Sequence, residues 1–218
     1  MDDHGIIREY RAQDRPAVRE ISWNTADKGR TVDLYFHDHE TVADILTQYY
    51  TDWEPQALWV AECDGAVVGY LTGCLDTRRC NRGMVRKVGP KAVAGAIGRG
   101  ALWRGETWRL AAAFAGTALL GGMPKVDLAA YPAHFHINLR QGFRGRGLGR
   151  QLVERFRRQT QEQGLRGIHL VAWGENECGR RFFESRGFRL LRQQPLVLPE
   201  GWGFRKTSTV VYGWTAGD

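Results

Sequence analysis

Two hydrophobic periods alternate along this chain. In His134-Phe135-His136-Ile137-Asn138-Leu139 polar and mostly apolar side chains take turns, as in a half-buried strand, and just downstream Leu148, Leu152, Val153 and Phe156 recur at helical spacing. Residues 6–10 predict a short first strand, followed by Asp14 as a helix N-cap, Pro16 in the first turn, and Val18 and Ile21 facing inward. Thr41-Val42-Ala43-Asp44 resembles a capping box with Asp in place of Glu or Gln, ahead of Ile45, Leu46, Tyr49 and Tyr50 at helical spacing. Residues 58–62 and 66–73 flank Asp64-Gly65, a hairpin-turn signal, because both residues tolerate the left-handed dihedrals of a tight turn.

The pattern breaks over 77–126, which is rich in Ala, Gly, Arg and Trp and lacks strand alternation; it reads as an inserted helical hairpin. Order returns with the strand at 134–139 and a helix over 147–163 that Gly164 stops. A strand at 167–172 follows, then a short helix over 176–186 capped by Gly187, and strands at 188–193 and 207–214. The elements add up to a mixed sheet with helices on both faces.

A length of 218 residues, 43% hydrophobic and 25% charged, suits one domain spanning 1–218. The most apolar segment, 110–123, falls short of the roughly 20 residues a membrane span needs. The acidic start, Met1-Asp2-Asp3-His4, has no signal-peptide core, so the expectation is a cytoplasmic protein with no membrane partner. Cys63, Cys74, Cys80 and Cys178 form no Cys-x-x-Cys pair and no zinc-type spacing with histidine; they read as reduced structural thiols, with no metal expected. The net charge of +7 is clustered, in Arg78, Arg79, Arg82, Arg86, Lys87 and Lys91 and again from Arg144 to Arg158. Such clusters suit a phosphate-bearing partner, either a nucleotide cofactor or a nucleic acid.

The second cluster carries the run Arg144-Gly145-Arg146-Gly147-Leu148-Gly149-Arg150, placed between the alternating strand and the helix. A helix start offers unpaired backbone N–H groups and the positive end of the helix dipole, and glycine lets a phosphate approach the backbone. A Walker loop would end in Gly-Lys-Ser/Thr, whereas Gly149-Arg150-Gln151 stands here. The dinucleotide fingerprint fails too, on glycine order and on its late place in the chain.

Together with the later Asn176, Phe182-Phe183-Glu184 and Gly187-Phe188, the Arg144-x-x-Gly147-x-Gly149 spacing resembles the GNAT superfamily of acyl-CoA-dependent N-acyltransferases. The segment Tyr131-Pro132-Ala133-His134-Phe135-His136-Ile137-Asn138-Leu139 is similar to a subgroup of bacterial acetyltransferases that also resembles the acetyltransferase-like C-terminal domain of O-GlcNAcase. The resemblance implies an α/β (α+β) fold, a mixed and mostly antiparallel central sheet with helices on both faces, here with a helical insertion near 77–126. It implies acetyl-CoA (coenzyme A) as co-substrate. Its pyrophosphate would lie on the amides of Arg144, Gly145, Arg146, Gly147, Leu148, Gly149 and Arg150, and its pantetheine arm between the strand of Ile137 and Leu139 and the strand at 167–172. Asn176 would flank the arm, and Arg180 or Arg181 would meet the 3′-phosphate.

Acetyl transfer to an amine needs a neutral nucleophile, a donor to the carbonyl oxygen and a proton for the thiolate. Candidate bases are His134, His136, Asp127 and Tyr131, all on or just before the strand that opens the cofactor site. Strict alternation puts His134 and His136 on one face and Tyr131, Ala133, Phe135 and Ile137 on the other. Many relatives protonate the thiolate with a tyrosine where Phe183 stands, so a non-catalytic acyl-CoA-binding module is the alternative to an N-acetyltransferase acting on a primary amine by direct attack. Nucleic-acid binding ranks last, because Arg-Gly segments that bind RNA are long and disordered. His37 and His39, near Asp33, Asp38 and Glu40, read as a solvated loop before a metal site. The group Tyr49, Tyr50, Asp52, Trp53 and Glu54 is either core with solvated acids or a wall of the acceptor pocket. The insertion is open to three uses: a lid on the acceptor site, ordinary core, or a homodimer contact.

Overall fold

A computed structural model describes residues 5–217 apart from Val32, Leu34 and Tyr35. The acidic N-terminal residues, and with them the reading of a missing signal sequence, lie outside the described residues. Seven strands form one sheet: β1 (Ile6–Glu9), β2 (Leu58–Cys63), β3 (Ala66–Cys74), β4 (Ala133–Leu139), β5 (Gly167–Trp173), β6 (Arg189–Glu200) and β7 (Gly203–Thr215). Their order is β1-β2-β3-β4-β5-β7-β6, with β4 and β5 parallel and the other pairs antiparallel. The helices are α1 (Arg15–Thr25), α2 (His39–Ala43), α3 (Tyr49–Trp53), α4 (Thr77–Gly83), α5 (Gly89–Gly98), α6 (Gly105–Leu119), α7 (Leu148–Glu162) and α8 (Glu177–Ser185). One π turn, Asp44–Gln48, joins α2 to α3, and another, Met84–Val88, joins α4 to α5. No helix among the described residues is long and apolar enough to cross a membrane.

Each face of the sheet is covered. Leu152, Val153 and Phe156 of α7 and Phe183 of α8 pack with Phe135, Leu170 and Tyr212 on one side. On the other, Val18 and Ile21 of α1, Tyr49 and Tyr50 of α3 and Cys80 of α4 pack against Leu58, Val60, Tyr70 and Cys74. A fully buried side chain of the size of Phe156 contributes about 1.5–3 kcal/mol. Phe156 comes this close because Gly73 lies beneath it: a Cβ there would stand 2.2 Å from its ring.

One predicted cap is corrected, and another is met in position but not in its side-chain bond. The helix after the first loop starts at His39, capped by Asp38 and not by Thr41; the Asp38 carboxylate accepts from Thr41 N–H at 3.3 Å and from the Thr41 hydroxyl at 2.7 Å. Asp14 does occupy the N-cap of α1, but its carboxylate turns back to Arg11 N–H at 2.8 Å and to the Arg8 guanidinium at 2.7 Å. The hairpin at Asp64-Gly65 forms with φ of +49° and +75° at those residues.

The last hairpin is longer than the pattern suggests, since β6 runs through Pro195 and Pro199. Proline lacks an N–H, and β6 tolerates it because it is the last strand of the sheet. The insertion is helical, as expected, and it covers that edge: Val197 N–H donates to Thr117 Oγ1 of α6 at 2.9 Å. Its first leg is tied to α2, where Arg99 Nε donates to Asp38 at 2.9 Å. The inserted hairpin therefore reaches from α2 to β6.

Candidate functional site

The site begins where two strands part. β4 and β5 pair only at Ala133↔Ile168 and His134↔His169. Beyond that point β4 stays with β3 as far as Leu139, while β5 stays with β7 as far as Trp173. A cavity of about 290 Å³ opens in the gap, lined by His136, Ile137, Tyr70, Leu170 and Trp173 among others. A neighbouring cavity of about 410 Å³ continues from Ile137 and Leu139 to the glycine run, and the two share Lys28, Asn138, Asn176 and Phe183.

The glycine run closes the strand onto α7. Gly147 is the N-cap, in the left-handed region at φ +81°, and Gly145 is at +77°. A Cβ on either would meet nothing within 4 Å, so dihedral freedom and not space requires glycine here. The first helical bond runs from Gln151 N–H to Gly147 C=O. The amides of Leu148, Gly149 and Arg150 lie ahead of it at the positive end of the dipole, a donor set that fits a phosphate group.

The arginines of the run divide. Arg144 spends its guanidinium on the carbonyls of Leu139 and Gly29, at 3.1 and 3.2 Å, fixing the start of the loop against the turn after α1. Arg146 lies over the Phe143 ring, and Arg150 lines the larger cavity with Glu154 3.8 Å away. The Leu148 side chain is in the core, and Leu148 lines neither cavity. Asn176 caps α8 by accepting from Gly179 N–H at 3.0 Å and lines both cavities. Arg180 does not line either cavity; it donates to Tyr212 Oη at 3.3 Å and to the Gly174 carbonyl at 3.4 Å.

The four candidate bases also separate. Alternation holds for the histidines: His134 and His136 share a face, with ring centroids 5.8 Å apart and His169 5.4 Å from His134. His134 is buried and fully bonded. Thr77 donates its single hydroxyl proton to the Pro132 carbonyl at 2.7 Å, so Thr77 Oγ1 must accept from His134 Nδ1–H at 2.8 Å. Nε2 is then the bare nitrogen and accepts from the Tyr50 hydroxyl at 2.9 Å. His136 instead faces the cavity. Its ring is exposed on that side, and desolvation, with His169 beside it, lowers its pKa. Burial likewise lowers His134 and His169, so the three rings are neutral at neutral pH.

Tyr131 departs from the expected face. It lies ahead of β4, outside the alternation, and its ring fills the space where Cβ atoms on Gly167 and Gly213 would stand, on the side of His169. Its carbonyl accepts from His169 Nδ1 at 3.0 Å. Asp127 caps a turn, accepting from Ala129 N–H at 2.9 Å, and lines neither cavity.

Other expectations resolve locally. His37 bonds to Glu106, while His39 bonds to Asp33 and stacks on Trp23 with centroids 3.9 Å apart. Tyr49 and Tyr50 are core, Asp52 pairs with Arg15, and Glu54 accepts from Leu75 N–H at 2.7 Å, so none of these acids lines the cavities. Phe183 is buried among Phe135, Phe182, Phe188 and Tyr212 and borders both cavities with a ring that carries no proton to give. The sequence reading missed Tyr70, whose hydroxyl accepts from the Asn138 amide at 2.9 Å at the wall of the gap, and Lys28, beside both cavities. The strand around Tyr70 was legible, but nothing local says that its partner is Asn138.

Comparison with known proteins agrees with this fold. The model of the acetyltransferase (GNAT) family matches residues 17–188. The crystal structure of SsHAT is similar at 26% identity and a TM-score of 0.70, covering 97% of this chain and 98% of that one. Also similar in fold are yncA, a putative acetyltransferase from Salmonella typhimurium solved with its cofactor acetyl-CoA (16% identity, TM-score 0.57, 97% and 93% covered), and a Drosophila melanogaster polyamine N-acetyltransferase (12%, 0.61, 97% and 100%).

Proposed function

We propose that this chain, which belongs to the acetyltransferase (GNAT) family, transfers an acetyl group from acetyl-CoA to the nitrogen of a primary amine by direct attack. Acetyl-CoA is the acyl donor of the family and supplies a thioester carbonyl with a thiolate leaving group. The observation that carries the reading is the continuous path from the loop amides at Leu148–Arg150, along the parted edges of β4 and β5, to His136.

Each part has a task. The loop amides hold the pyrophosphate by partial positive charge and hydrogen bonds. The freed backbone edges of β4 and β5 offer hydrogen-bonding groups to the amide-bearing pantetheine arm. Neutral His136 takes a proton from the amine nitrogen as the C–N bond forms and the C–S bond breaks, while the thiolate leaves to be protonated from water. His134 acts as a positioning residue, since its ring, fixed by Thr77 and Tyr50, backs the His136 ring. Among the cysteines, Cys178 lines the larger cavity on α8, and no histidine is among the described residues lining that cavity, which favours direct attack over an acetyl-enzyme. The binding-only alternative rests on Phe183, and water can meet the proton demand of a thiolate whose thiol has a pKa of about 8.5.

The test is incubation with acetyl-CoA and a panel of primary amines, including polyamines and lysine-containing and N-terminal peptides, reading free thiol and the acetylated product by mass. Acceptor-dependent thiol release is expected. No release above hydrolysis with any primary amine would sink the transferase reading, and a labelled acetyl-enzyme accumulating without acceptor would sink direct attack.

A further inference from the structure

We infer that Cys74, Cys80 and His134 form a binding site for a thiophilic divalent ion of the zinc class, one that clasps the base of the inserted hairpin. The Sγ atoms of Cys74 and Cys80 and a ring nitrogen of His134 all lie within 4.8 Å of one another. Donor atoms on a tetrahedral zinc ion, with bonds of about 2.3 Å to sulfur and about 2.0 Å to nitrogen, stand roughly 3.5–3.8 Å apart. Side-chain shifts of about 1 Å would therefore close the three onto one ion. Such a set of three His, Cys, Asp or Glu donors occurs at this place among the described residues.

The donor chemistry selects the ion. Two thiolates and one imidazole favour zinc or its soft neighbours over magnesium or calcium, which take oxygen ligands. The surroundings suit it as well. Cys74, Cys80 and His134 are 0%, 2% and 8% exposed, so bulk water does not compete for the donors. Each His134 nitrogen already has a partner, Thr77 on one side and Tyr50 on the other. Whichever nitrogen binds the ion gives up one hydrogen bond and keeps the other, which holds the ring in its plane as outer partners do in zinc sites. The Tyr50 hydroxyl stands beside the cluster, 2.9 Å from His134 Nε2, and a water supplies the fourth ligand.

The position in the chain explains what the ion would do. Cys74 is the last residue of β3, Cys80 is in α4, and His134 is the second residue of β4. The insertion leaves the sheet at the first of these and returns just before the last. An ion there closes the loop of 75–132 at its foot, adding metal–ligand bonds to the anchor that α4 already has in the packing of Cys80 and the hydrogen bonds of Thr77 to Pro132 and His134. His136 stays outside the cluster and keeps its face to the cavity. Spacing could not reveal this site, because His134 reaches the two cysteines only through the pairing of β3 with β4, which sets Cys74 opposite it.

The full chain, stripped of metal under reductant, is titrated with Co²⁺ and followed by absorption. Thiolate-to-cobalt charge transfer and tetrahedral d–d bands saturating at one ion per chain are expected. Cys74→Ser and Cys80→Ser should each weaken cobalt binding by more than the roughly 10–100-fold that loss of an outer partner costs. Cys178→Ser should leave cobalt binding unchanged. Coenzyme A affinity by calorimetry confirms that each variant is folded. X-ray absorption on zinc-loaded wild type needs no variant and should show two sulfurs at about 2.3 Å with nitrogen or oxygen at about 2.0 Å. Absent charge-transfer bands, bands that survive in both cysteine variants, a zinc shell of nitrogen and oxygen alone, or a Cys74–Cys80 disulfide persisting under reductant would each overturn the site.

Discussion

Replacing Gly147 separates the backbone role of the glycine loop from its electrostatic one. At φ +81° a residue with a Cβ is strained, by about 1–2 kcal/mol, while its Cβ would touch no protein atom within 4 Å. Gly147→Ala should therefore lower the melting temperature by about 2–8 °C for a chain of this length, and should change coenzyme A affinity little, because the strain is present in the free and the bound protein alike. Gly147→Asp adds a charge. At about 5 Å from a pyrophosphate, one unit of like charge costs roughly 0.8 kcal/mol at bulk permittivity and roughly 3.3 kcal/mol at an effective value of 20, per phosphate charge. The aspartate variant should bind coenzyme A about 4-fold to about 300-fold more weakly, with the smaller loss at high salt. Calorimetry with coenzyme A and with pantetheine, which lacks phosphates, measures the difference. A folded Gly147→Asp protein with wild-type affinity for coenzyme A, or with an equal loss for pantetheine, would refute the phosphate cradle.

Other expectations rest on separate contacts. His136→Ala should lower kcat by about 10²–10⁴-fold with coenzyme A affinity kept, whereas His134→Ala should cost about 1–3 kcal/mol of stability by leaving Thr77 and Tyr50 unpaired; equal kinetic profiles in steady-state assays would contradict this division. Burial pushes the Asp14 carboxyl up, but the hydrogen bonds from Arg8 and Arg11 N–H outweigh it and leave the pKa lowered. Its stabilisation is thus present above the unfolded value of about 3.9 and is lost as pH falls through the folded one; the gap in denaturation midpoint between wild type and Asp14→Asn should close on that acid limb, and a gap constant with pH would count against it. Gly122→Ala places a Cβ 2.0 Å from the Pro195 carbonyl oxygen and should pry α6 from β6, seen as faster amide hydrogen exchange over 105–119; unchanged exchange would show that the contact does not hold the insertion.

What could be read from the chain itself was whatever depends on near neighbours. The glycine loop between a strand and α7, the turn at Asp64-Gly65 and the shared face of His134 and His136 follow from dihedral preference and periodicity within a few residues, and all appear in the structure. Caps were less legible, because Asp38 and Asp14 answer to Arg99 and Arg8, charges brought from elsewhere in the fold or turned back upon it.

The site itself was decided by tertiary structure. Alternation put two histidines on one face, but the packing of Thr77 and Tyr50 made His134 a fixed ring and left His136 facing the cavity. The arginine count promised charge for phosphates, yet Arg144 and Arg180 are held by backbone carbonyls that no local pattern announces. The gap between β4 and β5 exists because each strand keeps its outer neighbour and loses its inner one, and the cysteines of β3 and α4 meet His134 only through the same sheet. Local chemistry thus set the elements and their faces, whereas long-range strand pairing chose which side chains would meet, since the partners of a strand are separated from it by chain lengths over which no periodicity carries information.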